Sequence, residues 1–318
     1  MFLKTKILKN TAKNILLASN YIKKNKIIGI PTETVYGLAG RADRDSVIKK
    51  IYDIKSRPYN NPLILHYKSS ACALEDIFAD ERATELARNF WPGPMTIVSK
   101  IKNKFLSRMV SSYSKTLAVR VPSHKTTINL LHHLEFPIAA PSANRYGKIS
   151  PTSAKHVLQE LNRKIPLILD GGFSTLGIES TVIDLSSSET KILRHGSIDN
   201  DAIENILNCK LKKSFDIKTI KAPGQDLNHY QPDIPVRINA KKQEANEGWL
   251  AFGNIPPYVK KPSLSLSKKK CLSEASRNLY KMLRILDKKK IVGIAVQKIP
   301  NKGLGIALND RLFRASKK

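Results

Sequence analysis

Cysteine is scarce: three in 318 residues, Cys72, Cys209 and Cys271, all far apart. No CxxC pair exists, so neither a disulfide framework nor a zinc ribbon is indicated, and a reducing compartment fits. No apolar run approaches the ~20 residues of a membrane helix. The amino terminus also lacks the apolar stretch of a secretory signal. These absences point to a soluble cytoplasmic protein without membrane contact. The first 25 residues are basic and acid-free, which keeps an organellar location open. Aromatics make up 7% and do not interleave the lysine runs at Lys268-Lys269-Lys270 and Lys288-Lys289-Lys290, so no base-stacking platform is indicated. A Walker A sequence is missing, which argues against a P-loop, and no HExxH or other metal-ligand spacing occurs. His132 and His133 are adjacent and cannot face one ion from a helix. No nucleophile–base pair is identifiable from spacing.

Acidic residues are few as well: 26 Asp and Glu stand against 55 Lys and Arg, a formal charge of +29. A polyanion such as nucleic acid is a natural partner for that excess. Equally, lysine-rich solvated surfaces can reflect a biased genome. What the chain does have is enough apolar material, 41%, for a real core, and a length that suggests two domains.

The stretch from Ile27 to His66 organises the rest. Ile27-Ile28-Gly29-Ile30 reads as a buried strand that stops at Pro31, which cannot donate to a ladder. Thr32, Glu33, Thr34 and Tyr36 follow, and Gly37 and Gly40 are expected in tight turns. Val47, Ile48, Ile51 and Ile54 share one helical face. That helix is expected to end at Lys55-Ser56-Arg57, because Pro58 disfavours helical geometry before it. Asn61-Pro62 leads into Leu63-Ile64-Leu65, capped by His66. Polar groups delivered by several element ends are how open α/β sheets build ligand sites.

Further along, Ile15, Leu16 and Ile22 mark a helix over residues 10–24. Asp80 is expected to cap a helix reaching Trp91, with Leu86 and Phe90 facing inward. Thr116 to Val121 is a strand interrupted by Arg120. A buried arginine is costly unless paired; either it lies at a strand end or it holds an anion, and Pro122, which follows Val121 and marks the strand end, favours the anion. Ile138-Ala139-Ala140 ends at a proline, and Ser142 and Asn144 supply a hydroxyl and an amide. Ser150-Pro151 is expected to start a helix, serine as N-cap and proline as first residue. Leu167 to Leu169 and Val182 to Leu185 are strands, and Arg194 precedes a turn. After residue 236, Gly248 to Phe252 and Ile291 to Val296 read as strands and Glu274 to Leu286 as a helix. Gly303-Leu304-Gly305 lacks the third glycine of a dinucleotide fingerprint.

The chain resembles the threonylcarbamoyl-AMP synthase family, also called YrdC-like. The resemblance rests on Pro31-Thr32-Glu33-Thr34-Val35-Tyr36-Gly37-Leu38, on Lys55-x-Arg57-Pro58, and on Asn61-Pro62-Leu63. Ser142-Ala143-Asn144, Ser150-Pro151-Thr152, Asp170-Gly171-Gly172 and Glu179-Ser180-Thr181 extend it, as does Ile192-x-Arg194-x-Gly196. Tyr146 stands where the family usually has serine. Pro223-Gly224 and His229-Tyr230-x-Pro232 resemble the long members, whose linker crosses the site as a lid. Asn309-Asp310-Arg311 matches their carboxy-terminal pattern.

The resemblance implies a twisted open mixed sheet in an α/β catalytic domain over residues 1–208, a linker over 209–235, and a smaller Rossmann-like α/β domain over 236–318. It implies a nucleotidyltransferase that converts L-threonine, bicarbonate or CO2, and ATP into threonylcarbamoyl-AMP and diphosphate. The product would pass to a tRNA threonylcarbamoyl transferase acting on adenosine 37 of tRNAs that read ANN codons. Mg2+ is the implied companion of ATP. On this reading Lys55 and Arg57 neutralise phosphates. Thr34, His66, Arg120, Ala140 and Ser180 hold threonine. Arg57, Asn61, Thr116, Ser142, Asn144, Ser150, Arg194 and Tyr230 hold ATP. Two alternatives stay open: an RNA-binding protein suggested by the charge, with a tRNA or double-stranded RNA contact, and an enzyme of another class on a similar sheet, such as a carbamoyltransferase accessory or a sugar-phosphate lyase.

Overall fold

The computed structural model describes residues 4–213, 221 and 229–317. Its larger sheet is built from β1 (Lys6–Lys9), β2 (Ile28–Ile30), β3 (Gly37–Arg41), β4 (Ile64–His66), β5 (Met95–Lys100), β6 (Thr116–Arg120), β7 (Ile138–Ala139), β8 (Leu167–Asp170), β9 (Thr181–Asp184), β10 (Lys191–Arg194) and β11 (Lys212–Lys213). Their order is β1-β8-β2-β3-β7-β4-β6-β5-β9-β10-β11. Among the described residues five pairs are parallel (β1–β8, β2–β8, β4–β6, β5–β9 and β10–β11) and the other five antiparallel (β2–β3, β3–β7, β4–β7, β5–β6 and β9–β10), so the sheet is mixed. A second sheet joins β12 (Val236–Arg237), β13 (Glu247–Ala251), β14 (Ser263–Ser265) and β15 (Gly293–Val296), all parallel, in the order β12-β15-β13-β14. A mixed sheet with a smaller parallel α/β unit is the fold class the sequence implies.

Helices α1 (Ala12–Lys23), α2 (Asp45–Lys55), α3 (Ser70–Glu75), α4 (Glu81–Phe90), α5 (Lys125–His132), α6 (Ala154–Leu161) and α7 (Asn200–Leu207) accompany the large sheet; α8 (Leu272–Asp287) and α9 (Leu304–Ala315) accompany the small one. Helix α1 buries Ile15 and Ile22 but leaves Leu16 outside. Helix α2 buries Val47, Ile48 and Ile51 and ends at Ser56, which takes the left-handed conformation (φ 52°) before Arg57. In that way the Lys55-x-Arg57 segment turns sharply off the helix end. No described helix is long and apolar enough to cross a membrane.

Two expectations are corrected. Gly37 and Gly40 do not make turns; both lie in β3, paired with β2 and β7. The reason is packing: a Cβ on Gly40 would stand 2.6 Å from Val47 Cγ1, so glycine lets α2 settle on the strand. Ser150 is not a helix cap either. Helix α6 begins three residues later, where Ser153 Oγ accepts from the His156 amide. Ser150 is fully buried and its hydroxyl has no hydrogen-bond partner. By contrast Asp80 caps α4 as expected, accepting from the Ala83 amide.

The core of the small unit, around Leu250, Leu279, Leu283, Ile294 and Leu308, also takes in Val35, Ile149 and Ile178 from the large one and Tyr230 from the connecting segment. The two units therefore meet through a continuous apolar core. Ala222, Pro223, Gly224 and Gln225, expected in a lid, lie outside the described residues.

The cap assignment is open to a direct check by urea unfolding. Ser153→Ala is expected to lower stability by about 1 kcal/mol, the usual worth of an N-cap serine, with an unchanged m-value. Ser150→Ala is expected to leave the midpoint in place. Equal losses in both variants would contradict the assignment.

Candidate active site

Local chain chemistry brings several strand ends to one place. Strands β4 and β6 run parallel with His66 opposite Arg120, so both end together. Pro31, Pro122 and Pro141 each follow a strand and turn the chain away. Ser180 immediately precedes β9, and Arg194 closes β10 beside it. Between these ends lies a cleft lined by Thr32, Thr34, Val35, Tyr36, Gly37, Arg57, Ile64, His66, Arg120, Ala140, Pro141, Ser142, Glu179, Ser180, Arg194 and His229.

Three arginines face this cleft, and all are buried. Arg120 donates from Nη2 to Glu33 Oε1 (2.5 Å), from Nη1 to Thr34 Oγ1 (3.0 Å) and from Nε to the Gly93 carbonyl (3.1 Å). Glu33 Oε2 is buried without a partner. Arg57 donates to the Asn61 side chain and to the Asn61 (2.9 Å) and Pro62 (2.9 Å) carbonyls. Arg194 donates to the Ser180 carbonyl (3.0 Å) and to Ser180 Oγ (2.8 Å), which also meets Thr96 Oγ1 (2.8 Å). Such guanidinium forks suit phosphate and carboxylate groups.

His66 lies at the same end. Its Nδ1 is 3.3 Å from the Ile64 carbonyl, which can only accept, so the proton sits on Nδ1 and Nε2 is left as an acceptor. Burial, then the Arg120 cation, pushes its pKa down to about 3.

Of the residues expected to hold threonine, Thr34, His66, Arg120, Ala140 and Ser180 all line the cleft; of the nucleotide set, Arg57, Ser142 and Arg194 do. The others stand further back. Lys55 is buried, and its ammonium donates to the carbonyls of Ser142 (2.5 Å) and Asn144 (2.7 Å), so it fixes the loop that presents Ser142. Burial, then the neighbouring Arg57 cation, holds its pKa well below the usual lysine range. Asn144 accepts from Ser142 Oγ (2.6 Å) and donates to the Lys148 carbonyl (2.6 Å). Asn61 orients Arg57, and Ser150 sits buried behind the cleft wall. Thr116 begins β6, four residues before Arg120 and thus ~13 Å along the strand. It borders a different hollow with Lys100, Lys104, Arg108 and Lys115. Tyr230 is fully buried, its ring packed at 4.1 Å from that of His229.

Sequence reasoning gave no role to Glu179 or His229, although both line the cleft. Each lay within a matched motif, which was the signal available. His229 is buried with Nδ1 unpartnered, and burial drives its pKa well below the usual imidazole value.

Comparison with known proteins agrees across the whole chain. The Sua5/YciO/YrdC family model, described as "Telomere recombination", matches residues 20–196. The model described as "Threonylcarbamoyl-AMP synthase, C-terminal domain" matches residues 198–317. The chain is 37% identical to the threonylcarbamoyl-AMP synthase of Pyrococcus abyssi over 322 residues, covering 95% of this chain and 94% of that one. It is 34% identical to that of Bacillus subtilis, covering 95% and 92%. The crystal structure of P. abyssi Sua5 complexed with L-threonine superposes with a TM-score of 0.90 at 34% identity, covering 98% and 97%.

His66 gives a pH test. Its folded pKa, about 3, lies below the ordinary 6.5. Its burial as a neutral ring therefore contributes stability above 6.5, lost as pH falls from there toward 3. Imidazole NMR shifts are expected to stay flat between about pH 5 and 8, and His66→Gln is expected to make stability less sensitive to acid. A resolved titration near neutrality would refute the assignment.

Proposed function

The chain belongs to the threonylcarbamoyl-AMP synthase family, and from that premise we infer that its cleft condenses L-threonine, bicarbonate or CO2, and ATP into threonylcarbamoyl-AMP and diphosphate. The observation that carries this reading is the convergence of Arg57, Arg120 and Arg194 on one cleft with Ser142, Ser180 and Thr34. That donor set matches a triphosphate beside a small amino acid.

The chemistry needs alignment more than a protein nucleophile. The threonine amine adds to CO2 and loses a proton, giving a carbamate. A carbamate oxygen then attacks the α-phosphate, and diphosphate leaves. Arg120 receives the threonine carboxylate, with Thr34, Ser180 and the Ala140 backbone around it, while the Nε2 lone pair of His66 accepts from the substrate. Arg57, Ser142 and Arg194 take the phosphates, and Asn61 and Lys55 hold Arg57 and the Ser142 loop in place. Asn144 steadies the Ser142 loop on the nucleotide side, and Tyr230 backs His229 behind it; Ser150 is buried back from the cleft, and Thr116, at the far end of β6 on a different hollow, takes no part. Preorganised cations at the site of developing charge supply most of such a rate enhancement.

Among the described residues no group of three or more His, Cys, Asp and Glu is placed to hold a metal ion. Glu179, the acidic residue lining the cleft, is already engaged. Mg2+ would therefore arrive on the nucleotide's own phosphate oxygens. Residues 1–208 form the catalytic unit and 236–318 the smaller one, joined by the segment 209–235. A tRNA threonylcarbamoyl transferase would consume the product, and a cytoplasmic location supplies all three substrates. The basic surface remains suited to a tRNA contact.

Diphosphate release is the test. It is expected to require threonine, bicarbonate and ATP together, with background release when any one is omitted. Arg57→Ala is expected to lower turnover about 10²–10³-fold, the usual loss for one preorganised donor. Release without threonine, or near-normal turnover in the variant with an unchanged melting temperature, would overturn the reading.

A further inference from the structure

Glu179 is out of place in a cleft that takes a triphosphate. It lines the cleft one residue before Ser180 and is buried at 6% exposure. A carboxylate there repels phosphate unless another charge offsets it. The offset comes from the second unit. Tyr280 of α8 donates its hydroxyl to both Glu179 oxygens (2.9 and 3.1 Å), and Arg311 of α9 donates from Nε to Oε2 (2.9 Å). Although burial raises its pKa, the Arg311 and Arg194 cations hold Glu179 ionised, down to about 2.

Arg311 does more than meet Glu179. Its Nη2 donates to the carbonyl of His195, the residue after Arg194 (2.8 Å), and Nη1 to Asp310 (2.6 Å). Its guanidinium stands 5.1 Å from the centre of the Tyr230 ring, which stacks at 5.8 Å on Tyr280. One fully buried side chain thus touches the neighbours of Ser180 and Arg194 and the connecting segment as well. Close approach of the two units makes this reach workable. Gly177 has φ +79°, and a Cβ there would lie 2.5 Å from the Ser276 carbonyl oxygen; Ser276 Oγ donates to the Leu176 carbonyl (2.6 Å).

We propose that Arg311, supported by Tyr280, is a positioning residue for the reaction: from the second unit it neutralises Glu179, so that the cleft meets ATP as a cation and Arg194 stays directed at the nucleotide. Without Arg311 the buried carboxylate turns to its other nearby cation, Arg194, and withdraws that charge from the phosphates. The second unit thereby contributes electrostatically to a site whose lining, among the described residues, comes from the first unit and the connector.

The proposal rests on the cleft binding ATP, so wild-type binding and diphosphate release are measured first; if they fail, the functional reading fails rather than this one. R311M is then compared with E179Q/R311M in the full-length protein. R311M is expected to raise KM for ATP at least about tenfold, the effect of ~1.4 kcal/mol of lost cation–phosphate attraction, while KM for threonine moves much less. The double variant, which holds neither charge, is expected to recover ATP affinity to within about threefold of wild type (~0.7 kcal/mol). A purely structural Arg311 would show no such recovery. Wild-type KM for ATP in folded R311M, or a double variant as weak as R311M, overturns the proposal. Should R311M not fold, E179Q/R311M carries the test alone, and ATP affinity more than about tenfold below wild type (~1.4 kcal/mol) overturns it.

Discussion

Buried positive charge is the constraint from which the rest of this molecule follows. Arg57, Arg120, Arg194 and Arg311 are each under a tenth exposed, and Lys55 is buried with them. Removing one cation from water costs several kcal/mol unless hydrogen bonds and counter-charges compensate. The fold meets that cost with fixed partners. Carbonyls of Asn61, Pro62, Gly93, Ser142, Asn144 and Ser180 accept from these groups, and among the described residues Glu33 and Glu179 supply buried carboxylates to them, with Asp310 near the surface. Mostly neutral acceptors hold the arginines, so the cleft keeps a net cationic field. That is the physical condition for binding a polyanionic nucleotide.

The same condition explains why two units share one core. Glu179 is held ionised by the cations beside it, yet its charge opposes the substrate's. The large sheet supplies Arg194 nearby, but Arg194 is also the group directed at the cleft. A second cation has to come from elsewhere, and α9 brings it across an interface where Val35, Ile149, Ile178 and Tyr230 already join the small unit's apolar core. Hydrophobic burial provides the binding force between units, and the Arg311–Glu179 contact fixes their register.

Local chemistry made much of this legible. Prolines at 31, 122 and 141 marked strand ends, the Pro58 rule located the end of α2, and Asp80 announced α4. Those signals act over a few residues. Ser150 against Ser153 was not decidable, because two serines near a proline both satisfy cap preferences and only packing chooses between them. The glycines of β3 misled for a related reason: glycine permits turns, but here it makes room for Val47 on α2. Lys55 read as a phosphate ligand from its motif, whereas its acceptors lie some 87–89 residues later in the chain. Tyr280 and Arg311 reach Glu179 across 101 and 132 residues. No periodicity carries such a contact.

The protonation of the cleft points in one direction. His66 is pushed to about 3 and His229 well below its usual range, both first by burial, while Glu179 is held near 2. Arginines do not titrate near neutrality. The groups that line the cleft therefore keep one charge state through the physiological range, and its field does not change with pH there. The groups whose protonation matters near neutrality are then those of the substrates, the threonine ammonium and the bicarbonate–CO2 pair. A cleft of fixed charge leaves proton release to the amino acid as it becomes a carbamate, and restricts the protein to alignment and neutralisation. That division of labour fits a site among whose residues spacing disclosed no nucleophile–base pair.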